Sequence, residues 1–195
     1  MKNTSLKLGL ASLVLASANA VASPIATTTY GGNKFDLYDA TGGITWANAE
    51  ANAVSLGGHL AALTSASQTT SVYSALINHG TFTGGGQYQQ AWLGGYTADH
   101  SGSTSNPHNW AWTTGAYWNA FDVGNFAPGE PNGDSSGLAI NRFGTSKFND
   151  EAYTWQGNTA VQAYIVETHV PDGGNTLALL GLGLVAVGAV RRKLA

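Results

Sequence analysis

The chain has no cysteine among its 195 residues. Disulfides, thiolate metal centres and cysteine nucleophiles are therefore excluded. Charge is scarce too: Asp, Glu, Lys and Arg make up 10% of the residues, against about 25% in an average soluble protein. The net charge of −3 leaves no basic field for nucleic acid. The sequence reads as non-catalytic, since no nucleophile is marked by its surroundings and adjacent acids such as Asp150 and Glu151 do not make a glycosidase pair by themselves. Glycine, by contrast, is abundant at 26 residues, and tryptophan is high at 6. Few charges with many aromatics and glycines mark a loop-rich folded domain rather than disorder.

Both ends read as targeting segments. Lys2 and Lys7 precede a short apolar run from Leu8 to Ala18, and Ala18-Asn19-Ala20 and Ala20-Val21-Ala22 both fit a small-x-small cleavage site. Residues 1–22 are thus expected to be a secretory signal peptide. At the other end, Val170-Pro171-Asp172-Gly173-Gly174 opens a polar turn, Leu177 to Val190 carries no charge, and Arg191-Arg192-Lys193 closes that stretch. The apolar stretch is about 14 residues, shorter than the roughly 20 that span a bilayer, and it has no polar face. Its basic end would stay on the cytoplasmic side. The order of motif, apolar helix and basic end resembles the PEP-CTERM sorting signals of Gram-negative bacteria, with Pro171-Asp172-Gly173 in place of the usual Pro-Glu-Pro. That resemblance implies an exosortase-type processing enzyme as partner. It also implies an initial inner-membrane anchor through residues 170–195, and a final place in the cell envelope or extracellular matrix. A plain C-terminal anchor is the simpler alternative.

The folded part is expected over residues 24–168, with no internal repeat. Tyr30 to Tyr38 reads as a strand. Thr45 can cap a helix from Trp46 to Leu56, in which Trp46, Ala49, Ala53 and Leu56 share a face, and Gly57-Gly58 can end it. Ser65 and Gln68 have the spacing of a capping box for a second helix with Val72 and Leu76 inward. Later segments alternate short apolar runs with glycine-rich loops: Ala91 to Gly94 and Trp110 to Trp112 read as strands, Asn119 to Ser136 as a long irregular loop, Val161 to Glu167 as the last strand. Helices first and strands later, with no repeated βαβ unit, give the α+β class.

Pro128-Gly129-Glu130-Pro131-Asn132-Gly133 carries the chemistry. Two prolines and two glycines forbid a central strand or a helix interior, so a stiff loop holds an acid and an amide two residues apart. Asp134 follows, and Phe148-Asn149-Asp150-Glu151 offers a second acid–amide cluster. Carboxylates and amide carbonyls without histidine or cysteine suit a hard cation such as calcium, which takes six to eight oxygen ligands. A cis bond before Pro131 would let both flanking side chains face one ion. The same residues also make an ordinary metal-free turn.

The landmarks come in a specific order. Trp46 and Ala49 lead to Leu56-Gly57-Gly58-His59-Leu60-Ala61, then Trp92-Leu93-Gly94, then Trp110, Trp112 and Gly115. Phe121, the Glu130-Pro131-Asn132 loop, Phe148-Asn149-Asp150 and Tyr164-Ile165-Val166-Glu167 complete the series. Over residues 30–168 this resembles the C-type lectin-like domain: two helices, small antiparallel sheets and a long irregular loop region. The resemblance implies a calcium and sugar site at Glu130, Asn132, Asn149 and Asp150, with Asp134 as a further metal ligand. The Glu-Pro-Asn form implies mannose, glucose or fucose type sugars. Calcium would keep open coordination positions for sugar hydroxyls, with the acids accepting and the amides donating hydrogen bonds. Ala53 and Val166 stand where the family has its main disulfide, Phe148 stands for a tryptophan, and Leu138 falls where a further acidic ligand is usual. Phe126 and Trp118 are expected in the core rather than on a sugar. His59 is expected to be structural, and Glu50 an exposed helix residue. The sequence therefore supports an exported, calcium-dependent lectin module, and as its rival a matrix interaction protein that uses the fold without calcium or sugar.

Overall fold

The computed structural model describes residues 23–86, 88–97, 105–133, 136–151 and 161–170. The expected signal peptide and the stretch 171–195 lie outside them. Eleven elements follow in the order β1 (Ala26–Tyr30), β2 (Asn33–Asp39), α1 (Trp46–Ser55), β3 (His59–Leu60), α2 (Ala66–Leu76), β4 (Gln90–Thr97), β5 (Trp110–Trp112), α3 (Ala120–Gly124), β6 (Gly137–Ile140), β7 (Phe148–Glu151) and β8 (Val161–His169).

The single strand expected over Tyr30 to Tyr38 is two strands. Gly31 and Gly32, with φ of 59° and 83°, form a two-residue hairpin loop between Tyr30 and Asn33. Glycine reaches that left-handed region without steric cost, and a Gly-Gly pair is a recognised hairpin signal. Both expected helices form. Thr45 caps α1 by accepting from the Asn48 N–H at 3.2 Å. Gly57 ends it with φ of 82°, its N–H donating to the Val54 carbonyl while Gly58 N–H reaches Ala53, the paired bonds of a Schellman cap. Ser65 caps α2 through the Gln68 N–H, but the Gln68 amide oxygen accepts from Thr64 rather than from Ser65, so only half of the capping box closes.

All strands join one sheet with the path β1-β2-β8-β4-β6-β7, while β3 pairs with β8 and β5 with β4. Every pairing is antiparallel except β4 with β8. The α+β class stands, with a mixed sheet and a third helix added to the expected pattern. Two apolar clusters flank the sheet. One gathers Phe35, Leu63, Leu93, Trp110, Trp112, Leu138 and Phe148; the other gathers Trp46, Ala53, Trp92, Ala139 and Val166. Ala53 and Val166 are 0% and 1% exposed and pack together with this second cluster. Trp46 and Trp92 cross-lock this second cluster, their indole N–H groups donating to the carbonyls of Leu93 and Ile44, each at 2.8 Å.

Candidate functional site

The site is built by stitching an irregular segment onto the β7 end of the sheet. Asn119 and Asp122 close a complete capping box at α3. The Asp122 Oδ2 accepts from Asn119 N–H at 2.8 Å, while its Oδ1 is buried with no partner among the described residues. Burial pushes the Asp122 carboxyl above the usual carboxylate range, against the lowering effect of the bonds from Asn119 and Trp112. After α3, the Asn125 carbonyl accepts from Phe148 N–H, and Ala127 N–H donates to the Phe148 carbonyl, both at 2.9 Å. This two-way bond fixes the next residues, Pro128 to Gly133, beside Asn149 and Asp150.

Within the loop the Glu130-Pro131 bond is cis and Pro131 is buried, while Asn132 is exposed. The Asn132 backbone N–H donates to Glu130 Oε2 at 3.1 Å and to Asp150 Oδ1 at 3.2 Å; Gly133 N–H donates to Asp150 Oδ2 at 3.1 Å. Two carboxylates from distant parts of the chain thus share one N–H. Asp150 is 3% exposed, and backbone dipoles hold it. Two like charges brought this close favour a cation, and the donor set is oxygen only, which fits a hard ion and not zinc or copper.

Asn149 is oriented differently. Its side-chain amide donates to Glu151 Oε1 at 3.0 Å, to the Asp150 carbonyl at 3.1 Å and to Gln90 Oε1 at 3.4 Å. Gln90, fully buried on β4, also donates to Glu151 Oε1 at 2.6 Å. The sequence marked Glu151 as part of the second acid–amide cluster but gave no sign of Gln90, because β6 lies between their strands and only the sheet order brings them together. Leu138 sits opposite Asp150 in the β6–β7 register and is 0% exposed; it offers no oxygen there. Asp134 lies outside the described residues, as do Pro171, Asp172, Gly173 and Gly174. Val170 is described, and its N–H donates to the Gly32 carbonyl at 3.0 Å. Among the described residues no group of three His, Cys, Asp or Glu side chains converges, and no helix is long and apolar enough to cross a membrane.

Other residues settle into structural roles. Phe126 is core, 8% exposed, and Trp118 is half-buried. Glu50 is not an exposed helix residue: it accepts from Leu60 N–H at 2.9 Å and meets His59 Nδ1 at 2.7 Å, tying α1 to β3. Glu167 on β8 accepts from Ala62 N–H at 2.9 Å, and burial pushes its carboxyl up. Gly133-Asp134-Ser135-Ser136-Gly137 has the spacing of a nucleophile elbow. It leads into strand β6 rather than a helix, and the elbow requires a strand-to-helix turn.

Comparison with known proteins agrees with this architecture. The fold is C-type lectin-like. A calcium-independent type II antifreeze protein superposes with TM-score 0.52 at 23% identity, covering 78% of this chain and 98% of its own. The C-type carbohydrate-recognition domain of cow CD23, solved in the presence of GlcNAc2Man3 oligosaccharide, gives 0.53 at 16% identity over 77% and 98%. The C-type lectin CEL-I of Cucumaria echinata gives 0.52 at 18% over 75% and 97%. At these identities the likeness establishes the fold alone. Residues 169–194 match the VPDSG-CTERM motif. The C-terminal signal is therefore of this related exosortase type rather than PEP-CTERM, with Gly173 at the serine position. No curated protein matches the chain.

Proposed function

We propose that this chain is an exported, non-catalytic, calcium-dependent glycan-binding module of the cell envelope or extracellular matrix. One observation carries the reading: Glu130 and Asp150, 20 positions apart in sequence, converge on the N–H of Asn132. Such a pair of acids, beside an exposed amide, is an arrangement that an oxygen-seeking cation would complete. Glu130, Asn132 and Asp150 would hold the ion, with Asn149 and Asp134 as further ligands. Bound calcium would supply open coordination positions for two adjacent sugar hydroxyls. The chain's own part is to fix the acids as acceptors and the amides as donors around those hydroxyls. Mannose, glucose and fucose type sugars are the expected class, from the Glu-Pro-Asn order.

The C-terminal motif supports export. Residues 1–22 would direct translocation, and the apolar tail would hold the chain in the inner membrane until an exosortase-type enzyme acts on the Val170–Gly174 region. A second reading, an interaction protein that binds neither calcium nor sugar, is favoured by one feature, the buried Leu138 opposite Asp150. Retention of the full chain on immobilised mannan decides between them. Calcium-dependent retention that chelator reverses is expected; no retention with or without calcium supports the second reading, and equal retention in both refutes calcium dependence without supporting that second reading.

A further inference from the structure

The segment leading into α3, together with β5, lines an open cleft of about 710 Å³, within the range of small-molecule sites. Its walls include His108, Trp110, Tyr117, Trp118, Asn119 and Val123. Among the described residues that line it there is no Lys, Arg, Asp or Glu. Tyr117 is 84% exposed, more than any other large hydrophobic among the described residues. An aromatic ring left in water on a concave wall marks a contact surface rather than a packing element.

The wall behind Tyr117 is stiff. Trp118 packs on Trp110 and Trp112 with ring centroids 6.1 and 5.0 Å apart, and its N–H donates to the Pro107 carbonyl at 2.9 Å. The Asn119 side chain accepts from Phe121 N–H at 2.7 Å and donates to the Thr64 carbonyl at 2.9 Å. Among the indoles of the described residues, one is left without a partner. The indoles of Trp46, Trp92, Trp112 and Trp118 each donate to a protein oxygen. That of Trp110 is buried with no partner among the described residues. A buried donor left unmade is costly and seeks an acceptor.

We propose that this cleft is a second glycan subsite, which takes a neutral hexose unit on the face of Tyr117 without calcium. A lining without Lys, Arg, Asp or Glu among the described residues gives no fixed counter-charge to a phosphate, a uronic acid or a basic peptide. A hexose ring combines an apolar C–H face with a rim of hydroxyl oxygens, which matches the exposed face of Tyr117 in this cleft. Tyrosine supplies that contact with little conformational entropy to lose. The inference shares with the calcium reading only the premise that the ligand is a glycan.

The test is calorimetric titration of the full chain, in excess EDTA, with maltohexaose, cellohexaose and mannohexaose, with tryptophan fluorescence as second readout. At least one is expected to bind and to shift the fluorescence. Tyr117→Ala is expected to weaken that binding about tenfold, as for an aromatic anchor. Tyr117→Phe, and the distant exposed Tyr88→Ala, should bind like the parent. Melting curves establish that each variant is folded. Failure of all three sugars in EDTA, or parental affinity in Tyr117→Ala, overturns the proposal. Binding that appears only with calcium overturns it too, while supporting the calcium site.

Discussion

Gly95 on β4 and Leu138 on β6 make a packing pair whose energetics can be worked out. A Cβ added at Gly95 would lie 2.6 Å from Leu138 Cδ2 and 2.7 Å from its Cβ. Leu138 is fully buried, so it has no solvent to move into. Gly95→Ala therefore overpacks the core, at about 1–3 kcal/mol. Leu138→Ala removes three buried carbons and leaves a cavity, at about 2–5 kcal/mol. In the double variant the clash with Cδ2 is gone, while the contact with the Cβ of residue 138, which alanine keeps, still has to be relaxed into the space that the leucine leaves. Its cost should fall below the sum of the single costs by about 1 kcal/mol or more, a coupling typical of residues in contact. Urea unfolding of the four proteins in EDTA, read by tryptophan fluorescence, gives the cycle. Additive costs would refute the reasoning, and with it the position of Leu138 as core behind Asp150 rather than a lapsed ligand.

Further predictions rest on the buried polar groups. Asp122 and Glu167 have folded-state pKa values raised by burial, above their ordinary range. The folded state therefore binds more protons, and the stability they contribute is full below the unfolded pKa and is lost as pH rises through the folded one. Asp39 runs the other way: burial pushes it up, but bonds from Thr81 and Thr41 hold it below its usual value. Its contribution is present above the unfolded pKa and lost as pH falls through the folded one. Melts in EDTA across about pH 4–7 should thus show Asp122→Asn flattening the gain in stability on acidification; an unchanged slope contradicts the assignment. Gln90→Leu should destabilise by about 0.5–1.5 kcal/mol, since it removes the bonds that Gln90 makes to Glu151 and Asn149; a neutral effect in urea unfolding would contradict that network. Replacing Pro171-Asp172 by Ala-Ala in the natural host should retain the chain in the inner membrane fraction with its tail, and normal release would argue against recognition of the motif.

What could be read from the sequence follows range of interaction. Helices α1 and α2 were legible because Thr45, Ser65 and the Gly57-Gly58 pair are local signals that act within one turn. The five-residue α3 was not, because it is too short for a periodic apolar face, although Asn119 and Asp122 stand at capping-box spacing. The hairpin of β1 and β2 was announced by Gly31-Gly32 and overlooked. The parallel pairing of β4 with β8 joins segments some 70 residues apart, and no local pattern encodes it. At the site, Glu130 and Asn132 stood out because prolines flank them. The Gln90–Asn149–Glu151 network and the Glu50–His59 contact became visible only once the sheet had brought separate segments together.

Glu130, Asn132 and Asp150 stand or fall together as the proposed cation site. Titration of the full chain with calcium by calorimetry, with thermal melts alongside, tests it most directly. A dissociation constant on the order of 10⁻⁴–10⁻³ M is expected for an extracellular module. At tenfold excess over that constant, calcium should stabilise the fold by about 1.4 kcal/mol. The Glu130→Gln/Asp150→Asn double variant should fold yet lose both the heat and the shift. If millimolar calcium gives neither, or if the double variant responds as the parent does, these residues form a turn and not a metal site.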